Sequence, residues 1–344
     1  MKKFTILSAF FLMLLFISFN IVKAQDILCV DRDGSFEAPD VFTDAWQYYQ
    51  PVLDDLGYDY DYFEVEDLTQ NGPDEATMSD YPVVFWFTGE TWTDAQTMTS
   101  DDEFNLMLYL VMDNGRLLLS SQDYLYDRYL NYTSFSAGDF PYDVLGCVEV
   151  VQDKWHIEPD TGNVVGSEGS FAEGLAFTVL DIYTEVSDDG LYIDEFVDHM
   201  GNDLLDMVFP EPTGCAAYMY DPGTHRSIFS TVSYAAIVDY DIRKELMERS
   251  FAWLLDATGI RERRKTDENV LIVYPNPATT LVRIGSKYEM EELWVRNSNG
   301  QVVEHFQGID GHKLKVNTSD YGAGTYIIEV MTDEGLSSSM LIVQ

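Results

Sequence analysis

Two rhythms of apolar and polar positions divide the chain. Up to residue 120 the apolar positions come in short unbroken runs: Ile27-Leu28-Cys29-Val30, Val83-Val84-Phe85-Trp86-Phe87 and Leu117-Leu118-Leu119. Runs of this length between turn residues predict strands buried on both faces. Residues 58–65 alternate aromatic with acidic and predict a further strand. Helical patterns lie between the strands. Residues 40–56 read as a helix kinked by Pro51 and stopped by Gly57. Ser100, with Glu103 three positions on, reads as a capping box. Phe104, Met107, Leu108 and Val111 then line one face, and Asn114-Gly115 ends the helix. A helix is expected up to Tyr132, and another from Asp241 to Ala257 with Leu246, Met247, Phe251 and Leu254 inward. This alternation predicts an α/β domain with a doubly wound, mostly parallel sheet. Residues 135–212 break the pattern; within them 147–152 and 175–180 read as strands. Residues 214–220 and 226–232 form a hairpin about Asp221-Pro222-Gly223.

From residue 270 the rhythm changes to short alternating strands, at 270–273, 281–284, 292–296, 301–304, 313–316, 321–330 and 339–343. Asn297-Ser298-Asn299-Gly300 supplies hairpin chemistry, and the pattern predicts a small all-β sandwich of about seven strands. Two signatures stand in it: Tyr274-Pro275-Asn276-Pro277-Ala278 at its opening, and Gly322-Ala323-Gly324-Thr325-Tyr326 leading into its longest strand. With the terminal apolar strand, these resemble the type A C-terminal sorting domain of the type IX secretion system. The resemblance covers residues 270–344. It implies an address read by the type IX machinery at the outer membrane, with the cargo released or attached to surface lipopolysaccharide. Tyr274, Pro275, Asn276, Pro277, Gly322, Gly324 and Tyr326 carry the motif.

The other end of the chain agrees with export. Lys2 and Lys3, an apolar stretch over 4–19 and Val22-Lys23-Ala24 read as a signal peptide over 1–24, addressed to the Sec translocon. The expected route is through the periplasm to the outside or the outer surface, with no transmembrane span in the mature chain. Residues 25–258 form the core, and 259–269, including Arg261-Glu262-Arg263-Arg264-Lys265, read as a flexible joint. The formal net charge of −40 is uneven. Signal, joint and tail hold twelve basic and twelve acidic residues, leaving eight basic and 48 acidic in the core. Such a surface repels nucleic acid and anionic lipid. The three cysteines form no zinc or disulfide framework, although Cys147 and Cys215 could pair in an oxidising compartment.

The core's strand order, with Pro82-Val83-Val84-Phe85-Trp86-Phe87-Thr88-Gly89 and Gly115-Arg116-Leu117-Leu118-Leu119-Ser120-Ser121-Gln122-Asp123, resembles the class I glutamine amidotransferase-like fold, a flavodoxin/amidotransferase-like sheet. In catalytic members a Cys follows the strand matching Leu117-Leu118-Leu119. Here that turn reads Ser120-Ser121-Gln122-Asp123, and residues 231–235 lack the expected His, so thiolate chemistry is excluded. The expectation is a non-catalytic binding or structural core. The alternative is a secreted hydrolase using Ser120 or Ser121, which needs a His partner. Asp31 and Asp33, at the end of the first strand, with Asp123, offer a calcium site; a solvated turn at Asp33-Gly34 is the plainer reading. The 22 tyrosines and six tryptophans invite carbohydrate stacking, with strand and core packing as the ordinary explanation.

Overall fold

A computed structural model describes residues 26–92, 97–157, 161–182, 190–256 and 270–344. The signal peptide and the joint lie outside the described residues.

The order begins β1 (Ile27–Asp31), α1 (Trp46–Leu56), β2 (Tyr60–Glu64), α2 (Glu75–Met78), β3 (Val83–Phe87), α3 (Ser100–Asp113), β4 (Arg116–Ser120) and α4 (Tyr124–Arg128). It continues β5 (Cys147–Ile157), β6 (Thr161–Gly166), β7 (Ala176–Leu180), β8 (Leu191–His199), β9 (Asn202–Phe209), β10 (Gly214–Tyr220), β11 (Arg226–Ser230) and α5 (Tyr240–Leu255). The large sheet runs β2-β1-β3-β4-β11-β10-β9-β6-β7. Its first five strands are parallel. From β11 onward every pairing is antiparallel. A separate antiparallel pair joins β5 to β8.

The expected doubly wound, mostly parallel sheet is therefore wrong. The sheet is mixed, four of its nine strands entering by antiparallel pairings, and strand (41%) outweighs helix (20%). The cause lies in residues 135–212. They supply no crossover helix among the described residues, so their strands return by hairpins and extend the sheet antiparallel.

In the parallel part, alternate side chains enter opposite cores, as a strand's two-residue period requires. Ile27, Cys29, Val83, Phe85 and Phe87 pack with Tyr49, Val52 and Leu53 of α1 and Leu246, Met247, Phe251 and Leu254 of α5. Leu28, Val30, Val84, Trp86, Leu117 and Leu119 pack on the other face with α3. The capping box of α3 sits one residue earlier than its sequence suggests. Thr99 accepts the Asp102 N–H at 3.1 Å, and the Asp102 carboxylate accepts the Thr99 N–H at 2.7 Å. Asp102 caps, and Glu103 faces the interior.

The C-terminal strands are β12 (Leu271–Tyr274), β13 (Leu281–Ser286), β14 (Met290–Asn297), β15 (Val302–Gln307), β16 (Lys313–Asn317), β17 (Gly324–Thr332) and β18 (Gly335–Val343). They form two sheets, β12-β13-β16 and β15-β14-β17-β18, around a core of their own. The first sheet lies against α3. Gly285 permits this approach, since a Cβ there would meet Leu108 at 2.4 Å. Arg283 pairs with Asp101 at 2.5 Å, Lys315 with Asp101 at 2.9 Å, and Lys313 with Glu75 at 3.2 Å.

Candidate functional site

The residues singled out at the opening of the tail hold it together. Asn276 donates its side-chain amide to the Met340 carbonyl at 2.8 Å and accepts the Ile342 N–H at 2.9 Å. Ala278 and Gln344 close the same seam through backbone bonds. Pro275 and Pro277 flank the asparagine and offer no N–H of their own. The Tyr326 hydroxyl donates to the Gly322 carbonyl at 2.7 Å, tying the Gly322–Gly324 turn to its strand. Tyr274 leaves the sandwich and enters the core. Its hydroxyl donates at 2.6 Å to Glu103, which is fully buried and also holds Tyr124, Arg128 and Tyr129.

In the core, the carboxyl ends of β3 and β4 open into a cavity of about 180 Å³. Glu90 and Trp92 follow β3; Gln122, Asp123 and Tyr126 follow β4; Asp153, Gly190 and Tyr192 come from β5 and the start of β8. Open sheets with parallel strands present ligand sites at these ends. Asp123 is 5% exposed, and its carboxylate accepts from the Gln122 amide at 2.8 Å. The Gln122 carbonyl oxygen, equally buried, has no protein partner. Behind them Asp194 accepts the Asp153 N–H at 2.9 Å and leaves its second oxygen unpartnered. Burial, followed by the neighbouring carboxylates, pushes both Asp123 and Asp194 well above the ordinary carboxylate range. This burial favours the protonated, hydrogen-bond-donating form of each. Trp92, 43% exposed, lies 6.2 Å from the Tyr126 ring at the rim, and Tyr192 stacks on His156 at 4.4 Å.

The expected calcium set is divided. Asp31 and Asp33 converge with Asp44, which no pattern in the chain singles out, while Asp123 belongs to the cavity. Asp31 accepts the Asp33 N–H and the Tyr62 hydroxyl; Asp33 accepts the Ser35 and Ala45 N–H groups. These carboxylates already shape the loop. A wider hollow of about 830 Å³ lies beside them, lined by Phe36, Asp44, Tyr62, Glu64 and Asp181. Ser120 and Ser121 are both buried. Ser120 meets Tyr49 at 3.5 Å and Ser121 meets Thr88 at 2.7 Å, so each hydroxyl has a neutral hydroxyl as neighbour. His225 is bonded to the Val144 carbonyl and His199 to Asp203. All three cysteines are free thiols.

Residues 272–344 match the model of the secretion system C-terminal sorting domain. This sorting domain supports export by the type IX secretion system and implies a secreted or cell-surface protein. The type IX machinery is thus a partner of the chain. Among the described residues no helix is long and apolar enough to cross a membrane. No curated protein sequence matches the chain. Among solved structures the chain is similar to the β-galactosidase from Bacillus circulans sp. alkalophilus, at 11% identity and a TM-score of 0.42, over 85% of this chain and 41% of that one. It is likewise similar to the β-galactosidase from Rahnella sp. R3, at 10% identity and a TM-score of 0.41, over 93% and 41%. The chain spans about two-fifths of either protein's length. No comparison supports the amidotransferase-like resemblance of the core.

Proposed function

We propose that the protein is a type IX cargo whose core binds a neutral, polyhydroxylated ligand of the sugar class at the cell surface or beyond it. The chain would enter the periplasm through the Sec translocon and leave by the sorting domain, with lipopolysaccharide as the attachment point if it is retained. The observation that carries the binding reading is the combination in one cavity of an exposed Trp92 rim and a buried, incompletely bonded Gln122–Asp123 pair. A sugar ring offers an apolar face to Trp92 and hydroxyls to an amide oxygen and a neutral carboxyl. A charged anion would meet Glu90 and Asp153 unfavourably. The cavity is smaller than the roughly 300 Å³ at which drug-sized pockets begin, which fits one sugar unit inside and the rest of a chain across the rim.

The core is read as non-catalytic because Ser120 and Ser121 are buried beside neutral hydroxyls. The test is a neutral-glycan array probed with the secreted protein. Binding should fall about tenfold in Trp92→Ala and in Gln122→Ala, at unchanged melting midpoints. Glycan binding untouched by both changes would remove the site, and cleavage of a bound glycan lost in Ser121→Ala would instead favour the hydrolase. The convergence of Asp31, Asp33 and Asp44 favours a second, structural role for calcium at the end of β1.

A further inference from the structure

The turn between β8 and β9 folds His199 back towards Asp203, and Gly201 lets that turn press on β10. A Cβ at Gly201 would stand 2.3 Å from the Met219 carbonyl oxygen. The β9–β10 register shifts between Cys215 and Ala217. A bulge of this kind re-aims side chains. His199 Nε2 thus lies 3.7 Å from Cys215 Sγ and 2.9 Å from Asp203 Oδ1, and all three donor atoms fall within 4.8 Å of one another.

We infer that His199, Asp203 and Cys215 form a binding site for a borderline-soft divalent cation of the zinc class. One nitrogen, one oxygen and one sulfur donor suit zinc, whereas calcium takes oxygen alone. Zinc bonds of about 2.3 Å to sulfur and about 2.0 Å to nitrogen, at tetrahedral angles, put those two donors about 3.6 Å apart, close to the spacing present. The nitrogen and carboxylate oxygen need only open by about half an ångström. The His199 side chain is 8% exposed and that of Asp203 55%, so the site has a buried floor and an open fourth position for water. His199 Nδ1 has no protein partner. The Asp203 carboxylate, 2.9 Å away, holds the imidazole proton on Nε2; a cation would take that proton's place, with the neutral ring carrying its proton on the unpartnered Nδ1. The missing partner also removes the usual outer support of a histidine ligand, so binding should be weaker than at a structural zinc site. The Cys215 thiol donates to the Ala217 carbonyl at 3.2 Å; a cation would displace that proton and bind more tightly as pH rises.

The test is a cobalt(II) titration of the reduced full-length protein, followed by its thiolate-to-metal charge-transfer absorption, with zinc as competitor. The expected result is a band that zinc abolishes, that disappears in Cys215→Ser, and that persists in Cys29→Ser and Cys147→Ser. Asp203→Asn, at an exposed position that leaves folding intact, should weaken cobalt about tenfold or more. Absence of the band, its survival in Cys215→Ser, or a Cys147–Cys215 disulfide in the secreted protein would each overturn the inference.

Discussion

At the scale of single residues, the core buries several carboxyl groups among its apolar side chains. Asp31, Asp33, Asp102, Asp123 and Asp194 are all held above the ordinary carboxylate range, chiefly by burial. An acid with a raised pKa holds its proton more tightly folded than unfolded. Its contribution to stability is complete below the unfolded value of about 4 and is lost as pH rises towards the folded value. The core's melting midpoint should therefore be higher at pH 5 than at pH 8, and a midpoint that climbs steadily over that interval would contradict these assignments. The calcium proposed at Asp31, Asp33 and Asp44 would offset the mutual repulsion of these carboxylates. Melting with millimolar calcium and then with chelator should show a rise at neutral pH that Asp44→Asn removes. The sequence placed Asp31 and Asp33 correctly at the end of the first strand. It did not reveal that Asp123 lies in a separate cavity, whose far wall comes from β5 and the start of β8. The sequence does suggest that Thr88, Glu90, Gln122 and Asp123 meet at neighbouring strand ends, and β3 and β4 are adjacent; Trp92, two residues past Glu90, is the member it does not single out.

At the scale of elements, legibility followed burial. β1, β3 and β4 are buried along nearly their whole length and read as unbroken apolar runs. β6, β8 and β9 are half exposed and carry Asn, Asp, Glu and Gly, so their pattern merges with that of loops. That stretch decided whether the sheet would be parallel or mixed. The start of α3 shows a finer ambiguity. Thr99 and Ser100 each precede an acidic residue by three positions, and both satisfy the capping pattern. Glu103 is taken by Arg128, at 2.8 Å, and by three tyrosines, which leaves Asp102 to cap. Thr99→Ala should thus cost about 1 kcal/mol of stability, measured by denaturant unfolding. Ser100→Ala removes only a bond to Arg283, at 2.9 Å, and should cost clearly less. The reverse order would restore Ser100 as the cap.

At the scale of the whole molecule, the account is of an address and a cargo. Mild trypsin should cut first within residues 261–265, leaving two resistant pieces. Tyr274 in its Glu103 site, and Arg283, Lys313 and Lys315 against α2 and α3, should keep those pieces together on a sizing column at low ionic strength. Those partly exposed ion pairs are screened by salt, so the pieces should separate more readily in high salt, and more readily still in Tyr274→Phe. The sorting signatures were legible because their residue types are distinctive in themselves, although Asn276 reaches 64 residues along the chain to the last strand while Tyr326 bonds only its own turn. The docking of Tyr274 was not, because its partner lies 171 residues away. The most direct measurement is the amount of core recovered from the culture medium, compared between cells expressing the full chain and cells expressing a chain that ends at Asn269. The account predicts that the shortened chain stays within the cell envelope, folded and able to bind; recovery from the medium at the full-chain level would contradict it.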